Sequence, residues 1–387
     1  MNTETSKVMF ALLRSAVCGG LLSSEEISLY SPDMLPEITS LAKKHDVIHV
    51  IVFALKKNEL LDESNKNLES KMLTAVYRCE RLKYELTKLC EALEQVEILF
   101  IPLKGSVLQQ YYPEPWMRTS CDIDVLVHED DLQRAVSYLS DNLRYRCESQ
   151  NSHDISMFTQ GGVHIEVHYE LVKNGSVNSV EAVLKRVWNV AAKHVGCNYQ
   201  YEMPDEMFYF YHIAHMAKHF VSTGGCGIRP FLDIWVLNHC VDFDREKRDK
   251  LLSDGGLNVF AKRAELLSEV WFGNAEHTEI TRQMETYILR GGMYGTNANR
   301  IAVQQQKKGG KVKYALSKIF IPYNVIKFHY PILQKHRWLT PIMEVRRWGK
   351  LIFCGHLKRT VKELKYNSTI SVDAAAETRA LLKNVGL

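Results

Sequence analysis

Leu103-Lys104-Gly105-Ser106, followed after fifteen intervening residues by Asp122-Ile123-Asp124, is the stretch on which the reading of this chain turns. Ile98–Leu103 is a short apolar run with the character of a buried strand. Gly105 permits a tight turn with close backbone approach. Ser106 opens a short helix expected to run through Tyr112 and to stop at Pro113. A strand–glycine–helix junction presents unpaired backbone N–H groups and the positive end of a helix, which suits phosphate. Cys121–Val127 reads as the next strand, and residues two apart on a strand share a face, so the Asp122 and Asp124 carboxylates point the same way. Two acids on one face repel unless a cation lies between them, and hard oxygen donors favour Mg²⁺. Val163–Leu171 reads as a third strand: Val163, Ile165, Val167, Tyr169 and Leu171 on one side, His164, Glu166, His168 and Glu170 on the other. Glu166 could complete a three-carboxylate cluster.

The rest of the chain frames this segment. Its 387 residues are 46% hydrophobic and 24% charged, which excludes disorder and fibrous classes and leaves room for two or three domains. Nine cysteines, odd in number and without a CxxC pair, read as reduced thiols in a cytoplasmic protein. Val8–Leu13 is cut short by Arg14, unlike a secretory signal, and no run reaches the ~18 apolar residues of a spanning helix. Val47–Leu55, the most apolar candidate, reads as a buried core helix. Leu35, Ile38, Leu41 and Ala42, and again Leu82, Leu86, Leu89 and Leu93, recur at helical spacing. A helix is expected over Asp130–Leu139, and from Pro204 the chain turns helical again. The expected division is a helical region over 1–95, a catalytic core over 96–200, a helical domain closing the cleft over 201–306, and a basic helical region over 307–387.

His212, His215 and His219 fall on one side of a helix expected over Asp205–Val221. His215 and His219 have the spacing of zinc ligands, but no HExxH accompanies them. Arg229 and Asp233, four apart on the following helix, read as a salt-bridged pair.

Charge is divided unevenly. Residues 307–365 hold 15 Lys or Arg and two acids, a net of +13, whereas residues 1–306 carry −9. Eight aromatics, Tyr314, Phe320, Tyr323, Phe328, Tyr330, Trp338, Trp348 and Phe353, are interleaved with the cations. A helical subdomain with a solvated basic face is the favoured reading. Peripheral contact with an anionic membrane comes second. A nucleic-acid surface comes last, because no binding motif is present and the acidic remainder would repel a polyanion.

The residues quoted above resemble the nucleotidyltransferase superfamily with a polymerase beta-type core, and more narrowly a bacterial group of uncharacterised nucleotidyltransferases. The resemblance rests on residues 41–47, Leu103-Lys104-Gly105, Arg118 with Asp122-Ile123-Asp124, and Ile165-Glu166-Val167-His168. It extends over His215, His219, Arg229 and Asp233, and over Gly291–Gly295, Tyr330–Leu333 and Leu339–Pro341. The stretch between Ser106 and Asp122 is longer than in the wider superfamily. The resemblance implies an α+β fold, a small mixed sheet inside a mostly helical chain. It implies Mg²⁺-dependent transfer of a nucleotidyl group from a nucleoside triphosphate, with ATP the expected donor, to an unidentified small-molecule, lipid-linked or protein acceptor. Asp122, Asp124 and Glu166 would hold two Mg²⁺ ions, with Glu166 holding the catalytic metal or taking the acceptor proton. Gly105 and Ser106 would cradle phosphate, and Lys104 or Arg118 would neutralise charge on pyrophosphate, with a salt bridge to one of the aspartates as the alternative for Arg118. His168, His215 or His219 would contact base, phosphate or acceptor. Two rival readings are a catalytically silent nucleotide-binding scaffold and a metallohydrolase built on His164, Glu166, His168 and the 212–219 histidines.

Overall fold

The computed structural model describes residues 3–151, 153–172, 178–353 and 372–387, with residues 361, 365 and 367 between the last two spans. Parts of the basic stretch, 354–360 and 362–364, lie outside the described residues.

The chain is mostly helical and carries one mixed five-stranded sheet, the α+β architecture expected from its sequence. The strands are β1 (Phe100–Pro102), β2 (Asp122–Val127), β3 (Arg146–Gln150), β4 (Asp154–Phe158) and β5 (His164–His168). Their order is β1-β2-β5-β4-β3, with β2 and β5 parallel and every other pair antiparallel. The parallel pair needs a crossover. It is supplied by the Leu132–Leu143 helix together with the β3–β4 hairpin.

Alternation along β2 and β5 sorts the side chains. Ile123, Val125, Val127, Ile165 and Val167 enter a core with Ala135 and Leu139 of the crossover helix and Leu89 and Leu93 of the long Glu69–Gln95 helix. The expected third strand is shorter than the sequence suggested, ending at His168 rather than Leu171, and β1 keeps only three residues of the apolar run. The β3–β4 hairpin was not anticipated. The Arg146–Gln150 strand is exposed along its whole length, as suits a polar sheet edge that resists pairing with other chains.

A second, larger core joins the N-terminal helices Thr3–Val17, Leu35–Lys44 and Ile48–Lys57 to the later helices Asp205–Ser222, Arg229–Cys240, Asn258–Phe272 and Glu279–Gly291. The Asp205–Ser222 helix follows Pro204 and carries Asp205 and Glu206 in its first turn, where acids favour the positive end of the dipole. Among the described residues no helix is long and apolar enough to cross a membrane, and eight cysteines are unpaired.

One loop closes tightly on this helical core. Gly295 has φ +67°, and a Cβ there would lie 2.3 Å from the Gly224 carbonyl oxygen. Gly295→Ala should therefore lower stability by about 2 kcal/mol or more in urea unfolding, from the left-handed backbone and the collision together. Gly20→Ala, at φ +79° but in open space, should cost only about 1 kcal/mol.

Candidate active site

The parallel register sets Asp122 opposite His164 and Asp124 opposite Glu166. Because their neighbours fill the core behind the sheet, Asp122, Asp124, Glu166 and His168 stand on its front, lining a cleft of about 500 Å³. A larger cavity of about 960 Å³ beside the Glu69–Gln95 helix holds none of the three carboxylates.

Asp124 is 2% exposed, and an isolated charge there would be strongly disfavoured. Lys104 Nζ lies 2.6 Å from its Oδ1 and 4.0 Å from Glu166 Oε2. His168 Nε2 lies 2.7 Å from the same Oδ1 and 3.3 Å from Glu166 Oε2. Burial pushes the Asp124 carboxyl up, but Lys104 and the His168 hydrogen bond outweigh it and hold the group well below the ordinary carboxylate range. Asp122 moves the other way, raised by burial and by the charge of Asp124. Ser120 donates to Asp122 Oδ1 at 3.0 Å. The cation that two acids on one strand face require is supplied by the chain itself.

Possible metal ligands fall into two groups that share Glu166: Asp122, His164 and Glu166, and Asp124, Glu166 and His168. Within each group one ligand atom per residue lies within 4.8 Å of the others. The three carboxylates thus straddle two positions. Among the described residues neither group includes a histidine of the Asp205–Ser222 helix. His212 Nε2 is 3.0 Å from the Pro230 carbonyl and His219 Nδ1 is 3.0 Å from Thr223 Oγ1. The histidines of that helix thus stand apart from both groups.

The Lys104–Ser106 turn differs from the expectation. The positive φ, +50°, belongs to Lys104 and not to Gly105. Gly105 is needed for a close approach to protein: a Cβ there would meet Ser120 Oγ at 2.9 Å. The following helix is one turn, Gly105–Leu108, and continues as a 3-10 segment over Gln109–Tyr111. Ser106 donates to the Leu103 carbonyl at 2.7 Å and lines the larger cavity, so it does not join the carboxylate cleft.

Neither arginine pairs with the carboxylate expected for it. Arg118 pairs with neither strand aspartate. Its Nε lies 2.6 Å from Asp233 Oδ1, which also accepts from the Tyr112 hydroxyl at 2.7 Å. Arg229 does not pair with Asp233 either; its Nη1 is 2.9 Å from Asp46 Oδ2 and donates to the Thr119 carbonyl at 2.8 Å. Asp233 is wholly buried; burial raises its carboxyl, and Arg118 more than reverses this.

Tyr211, His215 and His219 form the helical wall facing the carboxylates. The His215 and His219 rings stand edge to face, 4.6 Å apart. Burial, reinforced by Lys104, holds His215 well below the usual histidine value, so it is neutral. His219 is lowered to about 4 by burial and Lys218. At the rim Tyr294 is 62% exposed. Its loop is pinned by a Met293 N–H to Lys44 carbonyl bond of 3.0 Å and by Lys44 Nζ on the Leu289 and Arg290 carbonyls at 3.1 and 2.8 Å. Sequence reasoning missed Asp46, Tyr112 and His153 as parts of the site, and Tyr294 as its rim. His153 sits beside Asp154 with its ring 5.9 Å from that of His168. The glycines around Tyr294 and the 41–47 run that contains Asp46 offered a signal.

Residues 32–273 match a family described as an uncharacterised nucleotidyltransferase, a span that includes the carboxylate strands and the helical wall. No curated protein and no solved structure matches the chain.

Asp233→Ala would leave Arg118 buried without a counter-charge and should destabilise the protein by about 3–5 kcal/mol in denaturant unfolding at neutral pH. The Arg118→Met/Asp233→Leu double variant should recover most of that loss. Because the folded carboxyl is depressed, its contribution is present above the unfolded value of about 4 and fades as pH falls through the folded one. The deficit of Asp233→Ala should therefore shrink in acid.

Proposed function

We propose that this chain, which belongs to the uncharacterised nucleotidyltransferase family, transfers a nucleotidyl group from a nucleoside triphosphate, ATP in the first instance, to an acceptor hydroxyl or phosphate and releases pyrophosphate. The observation that carries the reading is the pairing of Asp124 with Glu166 across parallel strands, with Asp122 one strand repeat away on the same face. The arrangement resembles that of a polymerase beta-type core, and this resemblance supports the reading.

The donor chemistry suits Mg²⁺. Asp122, Asp124 and Glu166 offer hard oxygens. Asp122, whose carboxyl is raised by burial and by its neighbour, is a group whose charge a divalent cation would stabilise. When bound, Mg²⁺ would neutralise phosphate charge and align the attacking and leaving oxygens. His168 serves these carboxylates as a hydrogen-bond partner, since its Nε2 faces both Asp124 and Glu166.

The chain's own groups do the rest. Lys104 is the mobile cation of the site: released from Asp124, its ammonium meets charge on the phosphates and on the departing pyrophosphate. Glu166 accepts the proton of the acceptor. His215, neutral and facing the carboxylates, contacts acceptor or phosphate through a ring nitrogen. Arg118 is engaged with Asp233 and acts by fixing the cleft. The Tyr294 ring offers the nucleobase a stacking face, held in place by its pinned loop.

Pyrophosphate release in the presence of nucleotide, Mg²⁺ and a cell extract tests the assignment. Asp122→Asn and Asp124→Asn should each lose at least about 10²-fold in rate. Unchanged turnover in both would overturn it. Their stabilities should separate: Asp122→Asn leaves the melting temperature equal or higher, whereas Asp124→Asn lowers it by stranding Lys104 and His168. Tyr294→Ala should weaken nucleoside triphosphate binding about tenfold in calorimetry, leave inorganic tripolyphosphate binding unchanged, and be rescued by Tyr294→Phe.

A further inference from the structure

Two helices in the basic C-terminal third leave apolar side chains exposed on their outer faces. In the Lys311–Ile319 helix Tyr314 is buried, while Val312, Leu316 and the following Phe320 are 72%, 49% and 62% exposed. In the Thr340–Phe353 helix Glu344 is buried, while Ile342, Val345 and the preceding Trp338 are 54%, 72% and 72% exposed. Residues 312, 316 and 320, and residues 338, 342 and 345, recur at helical spacing, so each set forms one apolar stripe. A stripe of this kind normally faces a core.

Polar contacts between the inner face of the Thr340–Phe353 helix and the C-terminal end of the Lys311–Ile319 helix fix this orientation. The Ile321 N–H donates to Glu344 Oε1 at 2.7 Å, Arg347 Nε donates to Glu344 Oε2 at 2.8 Å, and Trp348 Nε1 donates to the Ile319 carbonyl at 3.1 Å. Rotating the Thr340–Phe353 helix to hide its stripe would break these bonds and expose Glu344, and rotating the Lys311–Ile319 helix would expose Tyr314. Among the described residues, both apolar stripes stay exposed.

Charge points to the kind of surface they fit. Lys313, Lys335, Arg337, Arg346 and Lys350 are exposed around the stripes. The stretch 307–365 nets +13, and Glu344, one of its two acids, is committed to Arg347. The first 306 residues net −9, so an anionic surface would attract this end of the chain and repel the rest. A polyanion such as RNA would satisfy the cations but not the aliphatic stripes. We propose that this surface docks on an anionic lipid bilayer, with Trp338 and Phe320 at headgroup depth and the basic rim on lipid phosphates. The proposal goes beyond nucleotidyl transfer and stands or falls separately from it.

The test is sedimentation of the full chain with phosphatidylcholine vesicles, with and without phosphatidylglycerol. Binding is expected only to the anionic vesicles, at low salt, with release at high salt. The Phe320→Ser/Trp338→Ser variant should lose at least about tenfold in partitioning with an unchanged melting temperature, since both side chains are exposed. Lys313→Gln and Arg346→Gln should each lose about fivefold. Equal binding to neutral vesicles, or full binding by the Phe320→Ser/Trp338→Ser variant, would overturn the proposal. So would retention on heparin without vesicle binding, which would assign the surface to a polyanion, and binding to neither, which would leave it to a protein partner.

Discussion

The contact between the Lys104 ammonium and the Asp124 carboxylate is the constraint around which the cleft is built. Asp124 is taken out of water by the parallel pairing of β2 with β5, and the same pairing brings Glu166 beside it. A carboxylate in that position must be paired or protonated. The chain resolves this from the adjacent turn. Lys104 takes a backbone conformation unusual for a residue with a side chain, φ +50°, and its Nζ reaches Asp124. His168, next but one after Glu166 on β5, adds a second hydrogen bond to the same oxygen. The cleft thus holds two carboxylates in different states: Asp124 satisfied by Lys104 and His168, and Asp122 raised by burial and by the charge of Asp124.

A second buried network holds the walls of the cleft in place. Arg118, Tyr112 and Asp233 tie the loop before β2 to the Arg229–Cys240 helix, while Arg229 ties that helix to Asp46 and Thr119. These bonds join residues far apart in the chain, and they engage both arginines of the cleft with protein partners. Buried pairs of this kind add little net stability against an apolar alternative. Their effect is to fix the helical wall, with His215 and His219, opposite the carboxylates.

The extent to which the sequence announced all this follows from the range of each interaction. The carboxylate face was legible because strand periodicity is local: Asp122, Asp124 and Glu166 could be placed on faces from alternation alone. The Asp205–Ser222 helix was legible for the same reason. β3 was not, since Arg146–Gln150 is a wholly exposed edge with no apolar alternation to read. The partner of Arg229 was misread because four-residue spacing on one helix suggested a local pair with Asp233, and that of Arg118 because the strand aspartates lie near it in sequence, whereas packing between distant segments gives Arg118 to Asp233 and Arg229 to Asp46. Gly105 was read as the turn residue, yet the strained backbone falls on Lys104, whose side chain the buried carboxylate holds. In the basic third the charge was plain from composition, but which face of each helix is buried depends on Glu344 and Trp348 contacts that only the assembled chain reveals.

Nucleotidyl transfer is distinguished from every neighbouring phosphate chemistry by the atom it moves. Incubating the protein with Mg²⁺, a cell extract and ATP labelled at either the α- or the γ-phosphate measures this directly. The account predicts that α-label passes to an acceptor while γ-label leaves as pyrophosphate. Transfer of γ-label to the acceptor, or release of γ-label as orthophosphate with none of the α-label transferred, would contradict it.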